Sequence, residues 1–243
     1  MTAAKANEEL TAPVEDYLKA IYEIERREGA AATNDIAQRL SIAPASVSGM
    51  VRRLADQGLL AHEPYKGVRL TTAGRRAALR TIRRHRVIES YLAQALGYPW
   101  DRVHAEAERL EHAASDELID RMAAAIGEPA VDPHGAPIPT REGSVDERRL
   151  VSLAEVAPAT RARIVRVSDE DPGMLRYLAE MDIVPGAEVV VEGRQPFGGP
   201  VLLRVGTVQR SIGVELAAQV RVEPVGPQGE GDSRPDRARR SRG

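Results

Sequence analysis

The 243-residue sequence predicts a mainly α-helical chain with a small β module near its C-terminal end. Apolar residues recur at helical spacing through most of the first 125 residues. From residue 151 the pattern changes to short runs rich in valine, leucine and isoleucine, which indicate strands. Residues 129–143 lie between the two patterns, and their proline and glycine content predicts a linker. The length favours more than one domain.

The composition excludes several classes of protein. Hydrophobic residues make up 42% of the chain and charged residues 29%, which is typical of a globular protein. Apolar runs are shorter than the roughly 18 residues of a membrane span, and the first ten residues lack the apolar centre of a signal peptide, so we expect a cytoplasmic protein without membrane contact. The chain has no cysteine, so any bound metal must be held by oxygen and nitrogen atoms.

The first 75 residues have the pattern of a winged helix-turn-helix. Three amphipathic helices are predicted over residues 13–29, 33–40 and 44–58. Two short strands follow over residues 59–63 and 68–71. Pro13 suits the first turn of the first helix, Thr33 is predicted to cap the second, and Gly58 ends the third. The two strands would form the hairpin that serves as the wing.

One face of the predicted third helix suits contact with DNA. Small and hydroxyl side chains near a helix N-terminus allow close approach to the major groove, and basic side chains there and on the wing suit phosphates. A winged helix that serves only protein interaction is the alternative. The candidate DNA-binding residues are Ala45, Ser46, Ser48, Gly49, Arg52, Arg53, Lys66 and Arg69.

Residues 76–145 are predicted to form a helical domain, and its two helices, residues 73–96 and 101–125, carry histidine and glutamate on single faces. Side chains four, seven or eight positions apart lie on one face of a helix. Imidazoles mixed with carboxylates at this spacing indicate a site for a first-row divalent cation, with ordinary solvated faces as the alternative. The residues concerned are His85 and Glu89 on the first helix and His104, Glu108, Glu111 and His112 on the second.

Charge is divided between neighbouring blocks of the chain. Residues 47–90 contain ten basic against three acidic residues, a net +7, whereas residues 101–147 contain four basic against twelve acidic residues, a net −8. A basic module beside an acidic one suits a protein that binds both nucleic acid and cations. An apolar stripe beside the acidic face predicts a homodimer, which would match a two-fold DNA site. The stripe consists of Val103, Ala107, Leu110, Ala114 and Leu118.

Four segments carry a resemblance to a known family, over residues 15–22, 46–48, 84–89 and 104–116. On these segments, residues 11–145 resemble the diphtheria toxin repressor family of metal-activated transcription factors. The resemblance implies two metal sites that together control DNA binding. Its ligands here would be Asp16, Glu108, Glu111 and His112 for one site, and His85, Glu89 and His104 for the other.

The same resemblance bears on the choice of metal. The iron-responsive branch carries methionine and cysteine where this chain has Asp16 and Glu108, and the manganese-responsive branch carries carboxylates there. Hard carboxylates without sulfur favour Mn²⁺, which is therefore the expected cofactor, with Fe²⁺ as the alternative. Lys19 stands where the manganese branch often has another carboxylate, which favours two separated sites over a compact two-manganese cluster.

Residues 151–224 are predicted to form a small SH3-like barrel. Five strands are expected over residues 162–167, 188–192, 201–205, 206–212 and 219–222, with a short helix at 173–180. Residues 175–186 resemble the ferrous-transport-protein-A-like domain of longer family members, in which acidic or amide side chains complete the second metal site. In this chain the acidic residues 169–171 are the candidates for completing the second metal site, and the sequence does not distinguish among the three. Residues 225–243 lack apolar periodicity and are predicted to be disordered.

Together these features predict a homodimeric, Mn²⁺-activated DNA-binding repressor of manganese homeostasis genes. An Fe²⁺-dependent repressor is the alternative within the family, and a metallohydrolase is the alternative from another class. The sequence has no H-E-x-x-H motif, glycine-rich phosphate loop or nucleophile motif, so no enzymatic activity is expected. His62 and His134 match no ligand pattern and are expected at the surface or in loops, and Glu106 is expected to be solvated.

Overall fold

The computed structural model describes residues 10–63, 67–146 and 148–225. The chain divides into two compact units. The first contains the chain up to Arg149 together with the segment Ser168–Arg176, and the second contains Leu150–Val167 and the chain from Tyr177 onward. Lys66, and all but the first residue of the tail predicted to be disordered, lie outside the described residues.

The N-terminal part of the first unit confirms the winged helix-turn-helix. The elements of the unit are α1 (Ala12–Glu28), α2 (Thr33–Arg39), α3 (Pro44–Asp56), β1 (Leu60–Glu63), β2 (Gly67–Leu70), α4 (Thr72–Leu96), α5 (Val103–Leu110) and α6 (Asp116–Ala125). The hairpin strands β1 and β2 are antiparallel, with Leu60 opposite Leu70. Leu18, Val47 and Leu54 are fully buried where the three N-terminal helices pack together. Within the described part of the chain, the helices are too short or too polar to cross a membrane.

Helix α4 joins the winged helix-turn-helix to the helices that follow it. Its first turn is capped by the Thr71 hydroxyl, which accepts the Gly74 N–H at 3.1 Å. Ile82, in the first half of α4, packs into the core of the winged helix-turn-helix. Ile88, in the second half, packs with α5 and α6 instead. One continuous helix therefore connects the two parts of this unit.

Two predicted helix boundaries are wrong. The helix expected over residues 101–125 is divided, because the Ser115 side chain accepts the Leu118 N–H at 3.2 Å and begins α6 anew. As a result, Glu111 is the C-cap of α5, and His112 lies beyond its end. The expected cap of α2 is also wrong, since Thr33 is already helical and Ala32 occupies the cap position without a side-chain hydrogen bond.

The segment predicted to be a linker, residues 129–143, is instead an ordered loop of the first unit. The Asp132 carboxylate accepts the backbone N–H groups of His134 and Ala136, at 2.8 and 2.9 Å. The His134 ring is fully buried and donates from Nε2 to the Trp100 carbonyl at 2.8 Å. The position of His134 in a loop is as predicted, but its expected exposure is wrong. Proline and glycine here shape a tight turn that side-chain hydrogen bonds hold in place.

The apolar stripe of the helical domain is only partly covered within the chain. Val103, Ala107 and Ala114 are buried. Leu110 and Leu118 remain 42% and 48% exposed. Two large apolar side chains on α5 and α6 are thus left free for a partner.

The second unit is a six-stranded antiparallel sheet with the predicted SH3-like fold. Its strands are β3 (Val151–Ser152), β4 (Thr160–Val167), β5 (Glu188–Arg194), β6 (Val201–Val205), β7 (Val208–Ile212) and β8 (Val220–Pro224), in the order β3-β8-β4-β5-β6-β7. Helix α7 (Pro172–Glu180) follows β4 in the chain, and α8 (Val214–Ala218) precedes β8. The two-residue β3 and the five-residue α8 were not predicted, because neither is long enough to show a period.

Candidate metal centre and nucleic-acid interface

Two groups of metal-ligating side chains lie where α1, α4 and the end of α5 meet. The first, the α1 cluster, consists of Asp16, Glu111 and His112, whose ligand atoms all lie within 4.8 Å of one another. His112 Nε2 is 2.9 Å from Asp16 Oδ1 and 3.6 Å from Glu111 Oε1. Three of the four residues predicted for the first metal site are thus brought together.

Glu15 fixes the orientation of the His112 ring, a role the sequence reasoning missed. Its Oε2 is 2.6 Å from His112 Nδ1, and its Oε1 accepts from Arg84 Nη1 at 3.1 Å. This contact leaves Nε2 facing Asp16, which is how a carboxylate orients a ligating imidazole. Burial would lower the pKa of His112, but the hydrogen bond to Glu15 and the charge of Asp16 raise it. The only sequence signal was that Glu15 directly precedes Asp16.

The second group, the α4 cluster, consists of His85, Glu89, His104 and Asp169. Glu89 Oε1 is 3.1 Å from His85 Nε2 and 3.4 Å from His104 Nδ1. Asp169 Oδ2 is 3.7 Å from His104 Nδ1. The three predicted residues are therefore together, and the acidic run at 169–171 contributes its first member.

Two residues that the sequence reasoning did not select extend the α4 cluster. Asp132 and His134 lie with Glu89 in a third, fully buried group of ligand atoms. Glu89 Oε1, Glu89 Oε2, Asp132 Oδ2 and His134 Nδ1 are buried and make no hydrogen bond within the described residues. Their ion-pair contacts are 3.1 Å from Glu89 Oε1 to His85 Nε2, 3.5 Å from Asp132 Oδ2 to Arg86 Nε, and 3.8 Å from His134 Nδ1 to Glu89 Oε1. Buried polar atoms without hydrogen bonds are costly, and a cation among these four atoms would satisfy them.

Lys19 lies between the two clusters. Its ammonium donates to Glu108 Oε1 at 2.6 Å and to Glu111 Oε1 at 3.0 Å, and it is 3.3 Å from His85 Nδ1. His85 Nδ1 and Glu111 Oε2 are also in direct contact. Glu108 is not in the α1 cluster, where it was predicted, but it lies with His85 and Glu111 in a further group whose ligand atoms are within 4.8 Å of one another. Burial would raise the pKa of Glu108, but the charge of Lys19 lowers it.

The electrostatics of the α4 cluster favour positive charge beside Glu89. Burial would lower the pKa of His85, but the charge of the nearby Glu89 carboxylate and the hydrogen bond to Glu111 raise it to about 10. Burial would raise the pKa of Glu89, but the charge of His85 holds it well below its usual range. Burial, with the charge of Glu89, raises the pKa of Asp132 to about 6. The charge of Glu89 thus affects the pKa of both His85 and Asp132.

The predicted DNA-binding face is open to solvent. On α3, the residues Ala45, Ser46, Ser48, Gly49, Arg52 and Arg53 are all exposed, and Arg69 on β2 is exposed as well. Val47, Val51 and Leu54 on the opposite face of α3 are buried. Burial of that apolar face keeps the small and basic side chains directed outward.

Glu106 also lies as predicted, away from the ligand clusters. Its carboxylate accepts from Arg109 Nη1 at 3.0 Å on the outer face of α5. This contact is an ordinary surface pair between residues three positions apart on a helix.

Comparison with known proteins identifies the family. Residues 9–68 match the iron-dependent repressor N-terminal DNA-binding domain, residues 71–140 match the iron-dependent repressor metal-binding and dimerisation domain, and residues 151–224 match the FeoA domain. The iron-dependent repressor IdeR of Mycobacterium tuberculosis is 34% identical over 229 residues, which cover 89% of this chain and 99% of that protein. The chain belongs to the diphtheria toxin repressor family. It is a metal-dependent, DNA-binding transcriptional repressor of that family.

A further transcriptional regulator and a manganese-dependent repressor are similar to this chain as well. The transcriptional regulator MntR of Lysinibacillus sphaericus is 36% identical over 113 residues, which cover 46% of this chain and 81% of that protein. A solved structure of a manganese-dependent transcriptional repressor in complex with manganese is 37% identical, with a TM-score of 0.80, and the match covers 87% of this chain and all of that one. The family and these relatives are repressors, which gives no support to the alternative of a metallohydrolase.

Proposed function

We propose that this repressor is activated by Mn²⁺ and acts as a homodimer in the cytoplasm on genes of manganese homeostasis. The observation that carries the choice of metal is the donor set. The ligand clusters contain only carboxylate oxygens and imidazole nitrogens, and a set without sulfur favours Mn²⁺ more than a sulfur-containing set does. The similarity to a repressor solved with manganese supports the same choice. The similarity to IdeR supports Fe²⁺ as the alternative.

The residues present fit a divalent cation at each cluster. Asp16, Glu111 and His112 would hold one ion. Glu89 would be the shared ligand of the other, with five partners available from its two groups: His85, His104 and Asp169 in one, and Asp132 and His134 in the other. A bound ion supplies positive charge that neutralises the clustered carboxylates and satisfies the buried atoms of the α4 cluster.

The arrangement of the chain supports a route by which metal binding at these residues would affect DNA binding. Asp16 lies on α1, and α1 packs with α2 and α3 in one core. Glu111 and His112 lie at and beyond the end of α5, which packs with the second half of α4. Ligands from both sides of a shared ion would fix α1 against the helical domain and set the position of α3.

The exposed leucines of the apolar stripe support a dimer. Leu110 and Leu118 would be covered by the corresponding surface patch of a second copy, because a two-fold interface uses the same patch on both subunits. Two copies would present two α3 helices to DNA, and the metal-fixed position of each α1 would set their spacing.

The choice of metal is tested by binding to a duplex selected from a random library on the Mn²⁺-loaded protein, hereafter the selected duplex. Its affinity is titrated with Mn²⁺, Fe²⁺ and Zn²⁺ in parallel, under anaerobic conditions. We expect Mn²⁺ to activate DNA binding at the free Mn²⁺ concentrations that a cell maintains. Fe²⁺ should require a higher free concentration than Mn²⁺. Activation by Fe²⁺ at a lower free concentration than Mn²⁺ would favour the iron alternative.

A further inference from the structure

Two adjacent carboxylates in the segment Ser168–Arg176 have different partners. Asp169 belongs to the α4 cluster, with its Oδ2 3.7 Å from His104 Nδ1. Glu170 turns instead to the helix-turn-helix, where its Oε1 accepts from Arg39 Nη1 at 3.0 Å. The same Oε1 is 3.9 Å from Arg27 Nη2. One peptide bond therefore separates a candidate metal ligand from an ion pair with the DNA-binding domain.

Arg39 joins this segment to two helices of the DNA-binding domain. It is the last residue of α2, and its Nε and Nη2 donate to Glu23 Oε2 on α1 at 3.0 and 2.6 Å. Its remaining nitrogen, Nη1, is the donor to Glu170. A planar guanidinium that binds two carboxylates at once has little freedom to rotate, so it fixes the position of all three segments.

The segment is held on the C-terminal side of Glu170. The Asp171 side chain accepts the N–H groups of Gly173 and Met174, at 2.7 and 3.2 Å, and so caps the start of α7. Arg176 donates to Asp101, just before α5, at 2.9 Å. Asp169 and Glu170 are therefore adjacent residues of one anchored segment, so that fixing Asp169 restricts where Glu170 can lie.

We propose that Glu170 is a positioning residue that couples the α4 cluster to the helix-turn-helix through Arg39. This inference rests on the proposed function. Ligation by Asp169 would fix the segment and hold Glu170 on Arg39, which favours one position of α2 relative to α4. The Arg39–Glu170 pair is partly exposed, with side chains 35% and 45% accessible, so its contribution is modest and it tunes the response set by the α1 cluster.

The reciprocity of coupled binding gives a direct test. If metal tightens DNA binding through Glu170, then DNA must tighten metal binding through the same residue. Mn²⁺ binding to the full-length protein is measured by calorimetry with and without the selected duplex, for the wild type, Glu170→Gln and the control Glu180→Gln. Glu180 is an exposed carboxylate at the end of α7, whereas the ion pairs of Arg39 among the described residues are with Glu23 and Glu170.

We expect Glu170→Gln to reduce the tightening of Mn²⁺ binding by DNA roughly two- to fivefold, since a partly exposed ion pair is worth up to about that factor. Mn²⁺ binding without DNA should keep its wild-type affinity, because Glu170 is not a ligand. Glu180→Gln should match the wild type in both measurements. Arg39→Gln should act as Glu170→Gln does, and the double variant should be no worse than either single one.

A background variant separates coupling from a purely structural role. In Asp169→Ala, which has no ligand atom at this position, the link to the metal is removed, so adding Glu170→Gln should cause no further change in the tightening. A wild-type tightening retained by Glu170→Gln would overturn the coupling alone, and so would an equal loss caused by that substitution in the Asp169→Ala background. Absence of any effect of DNA on Mn²⁺ binding in the wild type would overturn the proposed function as well.

Discussion

Replacing Asp16 with alanine is expected to reduce DNA affinity at saturating Mn²⁺ to the level measured with a chelator. Asp16 is the residue that α1 contributes to the α1 cluster, so under the proposed function its loss would separate the metal from the DNA-binding domain. Coupling between two sites is typically worth about 1–3 kcal/mol, so the expected loss is roughly 5- to 150-fold in affinity for the selected duplex. Fluorescence anisotropy with the labelled duplex measures it.

The control for this substitution is Glu28→Ala. Glu28 is an exposed acid on the same helix and lies outside both clusters. Asp16 is itself partly exposed, with a side chain 40% accessible, so its loss should leave the metal-free protein folded. Wild-type activation retained by Asp16→Ala would show that the metal acts on DNA binding by another route.

Replacing Glu89 with glutamine is expected to abolish metal binding at the α4 cluster. Glu89 is fully buried, contacts both His85 and His104, and is shared with Asp132 and His134. Gln keeps the volume but removes the charge that would hold the ion. Calorimetry with Mn²⁺ should show one ion fewer per subunit than in the wild type, and activation of DNA binding should need more Mn²⁺.

A milder substitution guards against loss of folding in the Glu89 variant. Asp169 is 24% accessible, so Asp169→Asn is expected to fold and to weaken the same ion without removing the site. Glu106→Gln, on the outer face of α5, should keep the wild-type stoichiometry and midpoint. A Glu89→Gln protein that binds as many Mn²⁺ ions as the wild type would exclude Glu89 as a ligand.

The candidate metal-binding residues that could be predicted from helical spacing are those on regular helices. His85 and Glu89 lie one turn apart on α4, so helical spacing alone puts them on one face. Asp16 was predicted as a ligand from the family resemblance alone. In the structure it lies beside His112, a residue far away in the sequence, so no local sequence pattern could have paired the two. The helices of the DNA-binding domain were predictable for the same reason, since each buries an amphipathic face.

The ligands in loops could not be predicted in the same way. Asp132 and His134 approach Glu89 through a turn that depends on side-chain hydrogen bonds to its own backbone, and such a turn has no period. The place of Glu108 could not be predicted for another reason. Its carboxylate accepts from Lys19 on a different helix and lies with His85 and Glu111, not with Asp16 and His112. Lys19 could be recognised as unusual from the sequence, whereas its partners required the tertiary structure.

In the proposed function, metal binding controls DNA binding, and this control is measured by the DNA affinity with and without Mn²⁺. The full-length wild type is titrated onto the selected duplex in excess chelator and again in saturating Mn²⁺, at one fixed salt concentration because phosphate contacts make affinity depend on salt. We predict that Mn²⁺ raises the affinity at least tenfold and that a duplex of scrambled sequence shows no comparable gain. Equal affinity for the selected duplex in both conditions would contradict the account.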